Sequence, residues 1–436
     1  MPSFGEALVW WLKLGFLSFG GPAGQIALMH NELVERRRWI SERRFLHALD
    51  FCMMLPGPEA QQLATYLGWL MHRTRGGIAA GALFVLPSLA ILVALSWIYL
   101  AFGHVPAIAA AFYGIKPAVT AIVVFAAYRL GSRALTNVWL WSIAVLALIA
   151  VAVWNMPFPL VVAIAAAVGF VGGKLDPTRF SLRGGHRTVA ASHAPSLIDD
   201  DTPTPAHARF SRARFARVVL VTLALWGGAI GALTLAFGAD AVLTRMAWFF
   251  TKAALLTFGG AYAVLPYVFQ GAVEQHHWLT AGQMIDGLAL GESTPGPLIM
   301  VVAFVGFVGG WSHAVLGADA LFASGVAAAA VVTYFTFLPS FCFVLLGGPL
   351  IESTHGDLRF TAPLTGITAA VVGVIVNLAI FLAAHVLWPD GTAGRFDVVA
   401  ALIGVLAAVL LFRFKLNVIA VIGISAALGL AARLIA

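Results

Sequence analysis

The chain consists of long apolar stretches separated by short polar segments, a pattern that predicts a bundle of membrane helices. Nine unbroken apolar stretches are predicted membrane spans, because their lengths are close to those needed to cross the hydrocarbon core of a bilayer. They lie near 77–102, 105–128, 138–155, 158–173, 217–237, 321–346, 363–386, 397–412 and 416–433. Such runs exclude an outer-membrane barrel, whose strands are about ten residues long and alternate in polarity.

Four further apolar stretches are broken near their middle by glycine or proline. They lie near 4–29, 45–71, 247–269 and 284–310. The prolines cannot continue a helix, because each lacks an N–H group and clashes with the preceding turn. Broken backbone cannot face lipid, where unpaired N–H and C=O groups are costly. These segments are therefore expected to line a cavity or to be buried in protein, and they indicate where a transporter binds its substrate.

The breaks recur along the chain at a fixed interval. The residues that recur after 239 positions are Lys13 as Lys252, Phe19-Gly20-Gly21 as Phe258-Gly259-Gly260, Trp39 as Trp278, and Pro56-Gly57-Pro58 as Pro295-Gly296-Pro297. Leu86-Pro87-Ser88 recurs after 252 positions as Leu338-Pro339-Ser340, which places an insertion of 13 residues in the second copy. Several motifs in register indicate an internal duplication.

Composition agrees with a membrane protein. Of the 436 residues, 61% are hydrophobic and 10% are charged, and the mean hydropathy is +0.93. A soluble enzyme carries roughly 25% charged residues. The net charge of +7 is assigned to cytoplasmic loops and not to nucleic-acid binding, because lysine and arginine accumulate on the cytoplasmic side of membrane proteins. The predicted fold class is an all-α polytopic membrane protein with an inverted-topology internal repeat and broken, re-entrant helices in each half.

The distribution of lysine and arginine favours one of two topologies. If every broken segment crosses the membrane, there are thirteen crossings, and the loop lysines and arginines divide 15 to 8 between the two faces. If the broken segments enter and return on the same side, nine spans cross, and the division becomes 20 to 3. The positive-inside rule favours the second arrangement. Both counts are odd, so the N-terminus is predicted to be cytoplasmic and the C-terminus periplasmic.

A polar stretch rich in Arg, His, Pro and Asp separates the two copies. We predict a first transporter repeat at 1–173, a cytoplasmic linker at 174–216, a connecting transmembrane helix at 217–237 and a second repeat at 247–436. The connecting helix has no counterpart in the first copy. It therefore inverts the second repeat relative to the first, an architecture typical of secondary transporters.

The residues that follow each proline break are predicted to face an anion. Glu59 and Leu298 each begin a half-helix, whose free N–H groups and positive dipole end favour negative charge. Neutral hydrogen-bond donors lie near the breaks, namely Ser18, Gln25, Gln61, Gln62, Thr257, Ser293 and Thr294. Such donors suit a hydrated tetrahedral oxyanion better than a metal cation. No His/Cys cluster has the spacing of a zinc site, and no cofactor is expected.

Charged side chains inside apolar segments are further candidates. Lys116 lies midway along an apolar span, where a lysine is costly, so it is either an ion-pair partner or part of the anion site. Lys13 and Lys252 either extend to the membrane interface or belong to the same site. A carboxylate removed from water takes up a proton more readily, so the carboxylates near the breaks are candidates for proton coupling. These are Glu292, which is preferred, Asp286 and Asp50.

Three stretches of the first repeat closely resemble the long-chain chromate ion transporters. They are Phe16-Leu17-Ser18-Phe19-Gly20-Gly21-Pro22, Glu32-Leu33-Val34-Glu35-Arg36-Arg37-Arg38-Trp39 and Leu55-Pro56-Gly57-Pro58-Glu59-Ala60-Gln61-Gln62-Leu63-Ala64. The resemblance covers both halves outside the linker and the connecting helix. It implies efflux of chromate driven by the proton gradient and hence chromate resistance, with sulfate as the usual competing oxyanion. The residues it carries over are Phe19, Gly20, Gly21, Gln25, Pro56, Gly57, Pro58 and Glu59.

The sequence therefore predicts a secondary transporter of the inner membrane that exports chromate by antiport with protons. A permease for sulfate or another oxyanion is the alternative within this class. A membrane-embedded enzyme that uses Glu59 or Glu292 as acid or base is the alternative outside it, although the chain has no nucleophile–base pair or metal motif. The expected partners are chromate or sulfate, protons and bilayer lipids, and a homo-oligomer is compatible with the sequence. The predicted substrate-binding residues are Lys13, Phe19, Gly20, Gly21, Gln25, Pro56, Gly57, Pro58, Glu59, Gln61, Gln62, Lys116, Lys252, Gly259, Gly260, Pro295, Gly296 and Pro297.

Overall fold

The protein consists of helices joined by turns and loops in the part that the computed structural model describes, which is residues 2–19, 21–180, 196–203, 205, 207–258, 260–354, 361–391 and 393–435. Among these residues the one β-type pairing is an isolated bridge between Ile40 and Ile198. The all-α fold class predicted from the sequence is therefore confirmed.

Sixteen α-helices follow one another along the described chain. The first eight are α1 (Phe4–Leu17), α2 (Gly21–His30), α3 (Glu42–Met54), α4 (Glu59–Phe102), α5 (Pro106–Ala134), α6 (Val138–Ala152), α7 (Phe158–Leu175) and α8 (Arg212–Phe237). The second eight are α9 (Val242–Leu256), α10 (Ala261–Phe269), α11 (Ala281–Ser293), α12 (Val301–Ser312), α13 (Leu321–Thr354), α14 (Thr361–Leu387), α15 (Val398–Phe412) and α16 (Val418–Ile435).

Six of the described helices are long and apolar enough to cross a membrane, which agrees with a multi-pass membrane protein. They are α4, α5, α7, α8, α13 and α14. The three remaining predicted spans form the shorter apolar helices α6, α15 and α16. The connecting helix α8 begins at Arg212 rather than at residue 217, and none of its residues is buried. It therefore lies at the periphery of the bundle.

The two repeats share local backbone features at the same interval of 239 residues. A π-helical turn follows the second helix of each repeat, and a hydroxyl side chain caps the helix before each proline break. The turns are Asn31–Arg36 and Gln270–Gln275, and the capping residues are Ser41 and Thr280. Residues of positive φ recur at the same interval, as Arg38 and His277, Gly21 and Gly260, and Gly57 and Gly296. The duplication inferred from the motifs therefore extends to the backbone.

The first proline break belongs to a hairpin made of α3 and residues 59–71 of α4. The backbone of His72 and Arg73 is not helical, and the chain reverses there, so that Gly68 packs against Gly76. His72 Nε2 lies 3.0 Å from the carbonyl oxygen of Pro2. Arg37, which precedes α3, lies 3.2 Å from Glu6. Both ends of this first hairpin thus lie beside the N-terminus. We call this side, which holds Arg37 and Arg73, the basic face.

The second proline break belongs to an equivalent hairpin made of α11 and α12. A Cβ added to Gly309 near the end of α12 would lie 3.1 Å from the Cβ of Trp278, which precedes α11. Both ends of this second hairpin therefore lie together, as they do in the first. The helix α8 connects the two repeats and starts at the basic face, where His207 Nε2 lies 3.1 Å from the carbonyl oxygen of Trp69. Because α8 ends at the other face, the second repeat starts there, and the ends of its hairpin lie on the face opposite to those of the first hairpin.

The arms that follow the two breaks are enclosed by protein. Every residue from 60 to 71 and from 298 to 310 is buried. Burial is what a broken segment at membrane depth requires, because neighbouring elements must then satisfy its free backbone groups. The sequence left open whether these segments line a cavity or lie inside the protein, and the structure buries them.

Part of the polar linker packs on the first repeat. The N–H of Ile198 donates to the carbonyl oxygen of Trp39 over 3.1 Å, and Ser41 donates to Asp200 over 2.6 Å. Hydrogen bonds from the backbone N–H groups of Asp200 and Ser196 hold the pKa of the Asp199 carboxyl below its usual range. The described part of the linker is therefore attached at the basic face.

Candidate functional site

The two proline breaks each bond to the end of a helix in the other repeat. The N–H of Gly57 donates to the carbonyl oxygen of Thr257 over 2.7 Å, and the N–H of Gly296 donates to that of Ser18 over 2.9 Å. Thr257 and Ser18 directly precede the two Phe-Gly-Gly motifs. Since donors and acceptors are both related by 239 residues, the contact is reciprocal, and each proline break meets a Phe-Gly-Gly break of the other repeat.

Glycine is required at both proline breaks. Gly57 has φ +128° and Gly296 has φ +101°, a region that favours glycine because it lacks a Cβ atom. A Cβ added to Gly57 would collide with Oγ of Ser340, and one added to Gly296 would lie 2.6 Å from Cβ of Ser88. Each glycine thus packs closely on the long helix of the other repeat.

Glu59 begins the second arm of the first hairpin and faces the other repeat. A Cβ added to Gly260 would lie 3.3 Å from its Oε2 atom. Its side chain is half-buried, unlike those of the residues that follow it. Leu298 occupies the equivalent place in the second copy and is buried. The carboxylate thus lies at the meeting point of the breaks but belongs to one copy alone.

The three predicted glutamines lie beside the breaks with their amide groups engaged. Gln25 Nε2 donates to the carbonyl oxygen of Gly296 over 2.6 Å, and Gln62 Nε2 donates to that of Pro56 over 2.8 Å. Gln61 Nε2 lies 3.0 Å from the hydroxyl of Thr65. All three Oε1 atoms are buried without a partner among the described residues. Gln25 and Gln62 thus bond to the backbone of the breaks, whereas Gln61 bonds to its own helix.

The hydroxyl groups that we expected to serve an anion are also in use. Ser18 donates to the carbonyl oxygen of Leu14 one turn earlier. The same is true of Thr257, Ser293 and Thr294, which donate to backbone carbonyls over 2.7, 3.0 and 3.0 Å. In contrast, two hydroxyls that were not predicted, those of Ser88 and Ser340, are buried at the breaks with no partner among the described residues. The signal that could have identified them is the repeated Leu-Pro-Ser motif.

The mid-span lysine is paired with a carboxylate. Lys116 Nζ lies 3.5 Å from Oδ2 of Asp286, and the hydroxyl of Tyr99 donates to the same oxygen over 2.8 Å. Oδ1 of Asp286 is buried and has no partner in the described structure. The group joins α4 and α5 of the first repeat to α11 of the second, near the end of α4 that is remote from the basic face.

The other predicted charges are placed as follows. Glu292, the penultimate residue of α11, accepts a hydrogen bond of 2.6 Å from the hydroxyl of Tyr262. Asp50 is half-buried on α3. Lys13 and Lys252 are exposed on α1 and α9, and Phe19 is also exposed. Two predicted site residues, Gly20 and Gly259, lie outside the described residues.

A second polar group, which sequence reasoning did not identify, ties the first hairpin to α13. The hydroxyl of Tyr66 donates to Oε1 of Glu352 over 2.6 Å, and Arg44 Nη1 lies 3.9 Å from Oε2. Glu352 lies near the end of α13, the helix equivalent to α4. Each hairpin is thus bound through a carboxylate and a tyrosine to the end of the long helix of the other repeat, at opposite faces.

Comparison with known proteins identifies the family. The family model described as "Chromate transporter" matches residues 6–170 and 244–430. A chromate transport protein of Pseudomonas aeruginosa is 34% identical over 428 residues, which cover 96% of this chain and 90% of that protein. A chromate transport protein of Cupriavidus metallidurans is 30% identical over 411 residues, which cover 94% and 88%. No solved structure matches. These relatives are named as transport proteins and not as enzymes, and the chain belongs to the chromate transporter family.

Proposed function

We propose that this protein exports chromate across the inner membrane in exchange for protons and thereby confers chromate resistance. The observation that supports this most directly is the reciprocal bonding of Gly57 to Thr257 and of Gly296 to Ser18. Two inverted repeats that meet through their broken helices form the arrangement in which transporters place a substrate between repeats and expose it to each side in turn. The names of the relatives supply the substrate, chromate.

The anion is proposed to bind at the first turns of the arms that follow the breaks. The chain leaves the first break at Pro58 and begins its second arm at Glu59, so the free N–H groups of the first turn lie at the break. Such a helix end favours negative charge. Here the favourable charge comes from backbone dipoles, which would bind a dianion without holding it so strongly that it cannot leave.

The coupling proton is proposed to bind at Glu292 and not at Glu59. An ionised Glu59 repels a dianion at the same helix start, so protonation of Glu59 would admit the anion. That relation favours binding of proton and anion together, which is symport. Glu292 lies at the C-terminal end of α11, where the helix dipole disfavours a carboxylate. This placement suits a group that binds and releases a proton.

The proposed orientation places the basic face in the cytoplasm. The arginines of the 36–44 segment, Arg73, Arg75 and the described part of the linker belong to that face, and the positive-inside rule assigns such a face to the cytoplasm. The N-terminus is then cytoplasmic and the C-terminus periplasmic. The proposed units remain the repeats at 1–173 and 247–436, the linker at 174–216 and the connecting helix at 217–237.

The proposal is tested by transport into inverted membrane vesicles with the pH gradient clamped. We expect uptake of chromate to accelerate when the lumen is acidic and to slow when the gradient is collapsed, because export from the cell corresponds to uptake by such vesicles. Vesicles from cells that lack the protein are the control. Chromate uptake at a rate independent of the pH gradient would refute antiport. Uptake of sulfate in preference to chromate would establish the sulfate permease instead.

A further inference from the structure

Two serine hydroxyls at the proline breaks are buried without hydrogen-bond partners. Ser88 on α4 is 0% exposed and Ser340 on α13 is 1% exposed. Neither Oγ atom has a partner among the described residues. A buried hydroxyl without a partner lowers stability, so two such groups at equivalent positions require an explanation.

Other hydroxyls on the same two helices show what an ordinary arrangement looks like. A serine or threonine inside a helix commonly bonds to the carbonyl oxygen one turn earlier. Ser96 on α4 donates to Leu92 over 2.6 Å, and Thr336 on α13 donates to Val332 over 2.7 Å. Ser88 and Ser340 do not make this bond. The hydroxyl of Thr333, two turns before Ser340 on the same side of α13, is also buried and unpartnered.

Both serines lie where the half-helices begin. Each packs on the glycine of the proline break that belongs to the other repeat: a Cβ added to Gly296 would lie 2.9 Å from Oγ of Ser88, and one added to Gly57 would collide with Oγ of Ser340. The two hydroxyls therefore occupy equivalent places, each beside the proline break of the other repeat. In the part of the chain that the structure describes, no protein group accepts a hydrogen bond from either hydroxyl.

We propose that Ser88 and Ser340 are substrate-binding residues that donate hydrogen bonds to a tetrahedral oxyanion held between the repeats. This assignment rests on the proposed function, since it assumes that an oxyanion occupies this place. A hydroxyl supplies one donor without adding charge, so two hydroxyls and two helix starts would replace part of the hydration shell of a dianion. The substrate would then provide the partners for both hydroxyls.

The proposal predicts opposite effects on stability and on affinity. In Ser88→Ala and Ser340→Ala, the unpaired hydroxyl is lost, so the melting temperature of the purified protein without anion should stay the same or rise. The KM for chromate in vesicles should rise about 10-fold in each variant, because a hydrogen bond to a charged group is lost. The rise in melting temperature that sulfate or chromate causes in the wild type should shrink accordingly.

Ser96→Ala is the matched control. It makes the same substitution on the same helix at the same burial, but its hydroxyl is bonded to Leu92. Its melting temperature should fall and its KM should not change. A wild-type KM in both Ser88→Ala and Ser340→Ala would overturn the assignment while leaving the proposed function intact. A wild-type protein that transports neither chromate nor sulfate would refute the proposed function and this assignment with it.

Discussion

Lys116 and Asp286 form an ion pair that joins the two repeats, with Nζ 3.5 Å from Oδ2. The carboxylate is 5% exposed and the lysine 34%. The sequence leaves two roles open for Lys116, namely ion-pair partner and part of the anion site. Because the structure contains the ion pair, the first of these roles is tested first. Binding of the anion by Lys116 stays a proposal.

We expect Lys116→Met to destabilise the protein by about 3 kcal/mol, because removing one partner leaves the buried carboxylate of Asp286 uncompensated. Anion transport should fall strongly. The double variant Lys116→Met with Asp286→Asn should recover stability, since neither charge remains, and transport by it shows whether the lysine also serves the anion. Yield and melting temperature in detergent measure the first effect, and vesicle uptake measures the second. Full stability and normal transport by Lys116→Met alone would contradict both roles.

Cysteines placed at Glu35 and Arg75 should be labelled from the same, cytoplasmic, side of the membrane. The structure places both ends of the first hairpin beside the N-terminus, through the contacts of Arg37 with Glu6 and of His72 with Pro2. An impermeant thiol reagent applied to intact cells and to inverted vesicles measures this. A cysteine at Asp240, beyond the far end of α8, should react from the other side. Labelling of the first two from opposite sides would restore thirteen crossings.

The positions of the breaks could be predicted from sequence, but the partners of the breaks could not. Pro56-Gly57-Pro58 must end a helix whatever surrounds it, and the structure ends α3 at Met54. That Gly57 bonds to Thr257 depends on two segments about 200 residues apart in the chain, and no local pattern encodes it. The sequence also does not show that the hydroxyls of Ser18 and Thr257 bond to their own helices, because a hydroxyl next to a helix end can bond either to its own backbone or to another group.

Gly57→Ala and Gly296→Ala should each destabilise the protein by about 1–3 kcal/mol, because alanine is strained at positive φ, and the added Cβ lies too close to a serine of the other repeat. Transport should be lost in both variants, since both breaks are part of the proposed anion site. Gly228→Ala on α8 is the control, because a Cβ there meets no atom within 4 Å. It should be neutral or slightly stabilising. Melting temperature and chromate uptake compare the three. Strong transport by Gly296→Ala would show that the breaks are not equivalent in function.

Glu292→Gln should leave anion binding and anion exchange intact and remove the pH dependence of net export. Glutamine can still accept the hydrogen bond from Tyr262, so the fold should persist, but it cannot carry a proton. Exchange of labelled chromate between the two sides is measured beside net uptake at several pH values. Glu59→Gln provides the comparison, and it should alter anion affinity instead. Proton-driven export by Glu292→Gln would return the coupling role to Glu59 or Asp50.

Glu352→Gln should destabilise the protein by about 1.5–3 kcal/mol, because the carboxylate accepts a short hydrogen bond from Tyr66 and lies near Arg44, and hydrogen bonds to charged groups are worth about this much. The first hairpin should then become more open at the basic face. Reactivity of the buried native Cys52, measured in a Cys342→Ser background, should increase from that side only. Asp176→Asn, which removes an exposed pair with Arg179, should have no effect. Equal reactivity from both sides would indicate general loosening and not release of one face.

The reciprocal bonds of Gly57 and Gly296 constrain how the two copies can diverge after duplication. Where one copy supplies the hydrogen-bond acceptor for the other, a change in either copy disturbs the contact that both share. The Phe-Gly-Gly and Pro-Gly-Pro motifs therefore persist twice in one chain. Where the copies do not contact each other in this way, they are free to specialise, as Glu59 and Leu298 show. The two repeats can thus acquire different functional side chains while hydrogen bonds between them maintain the symmetry of the backbone.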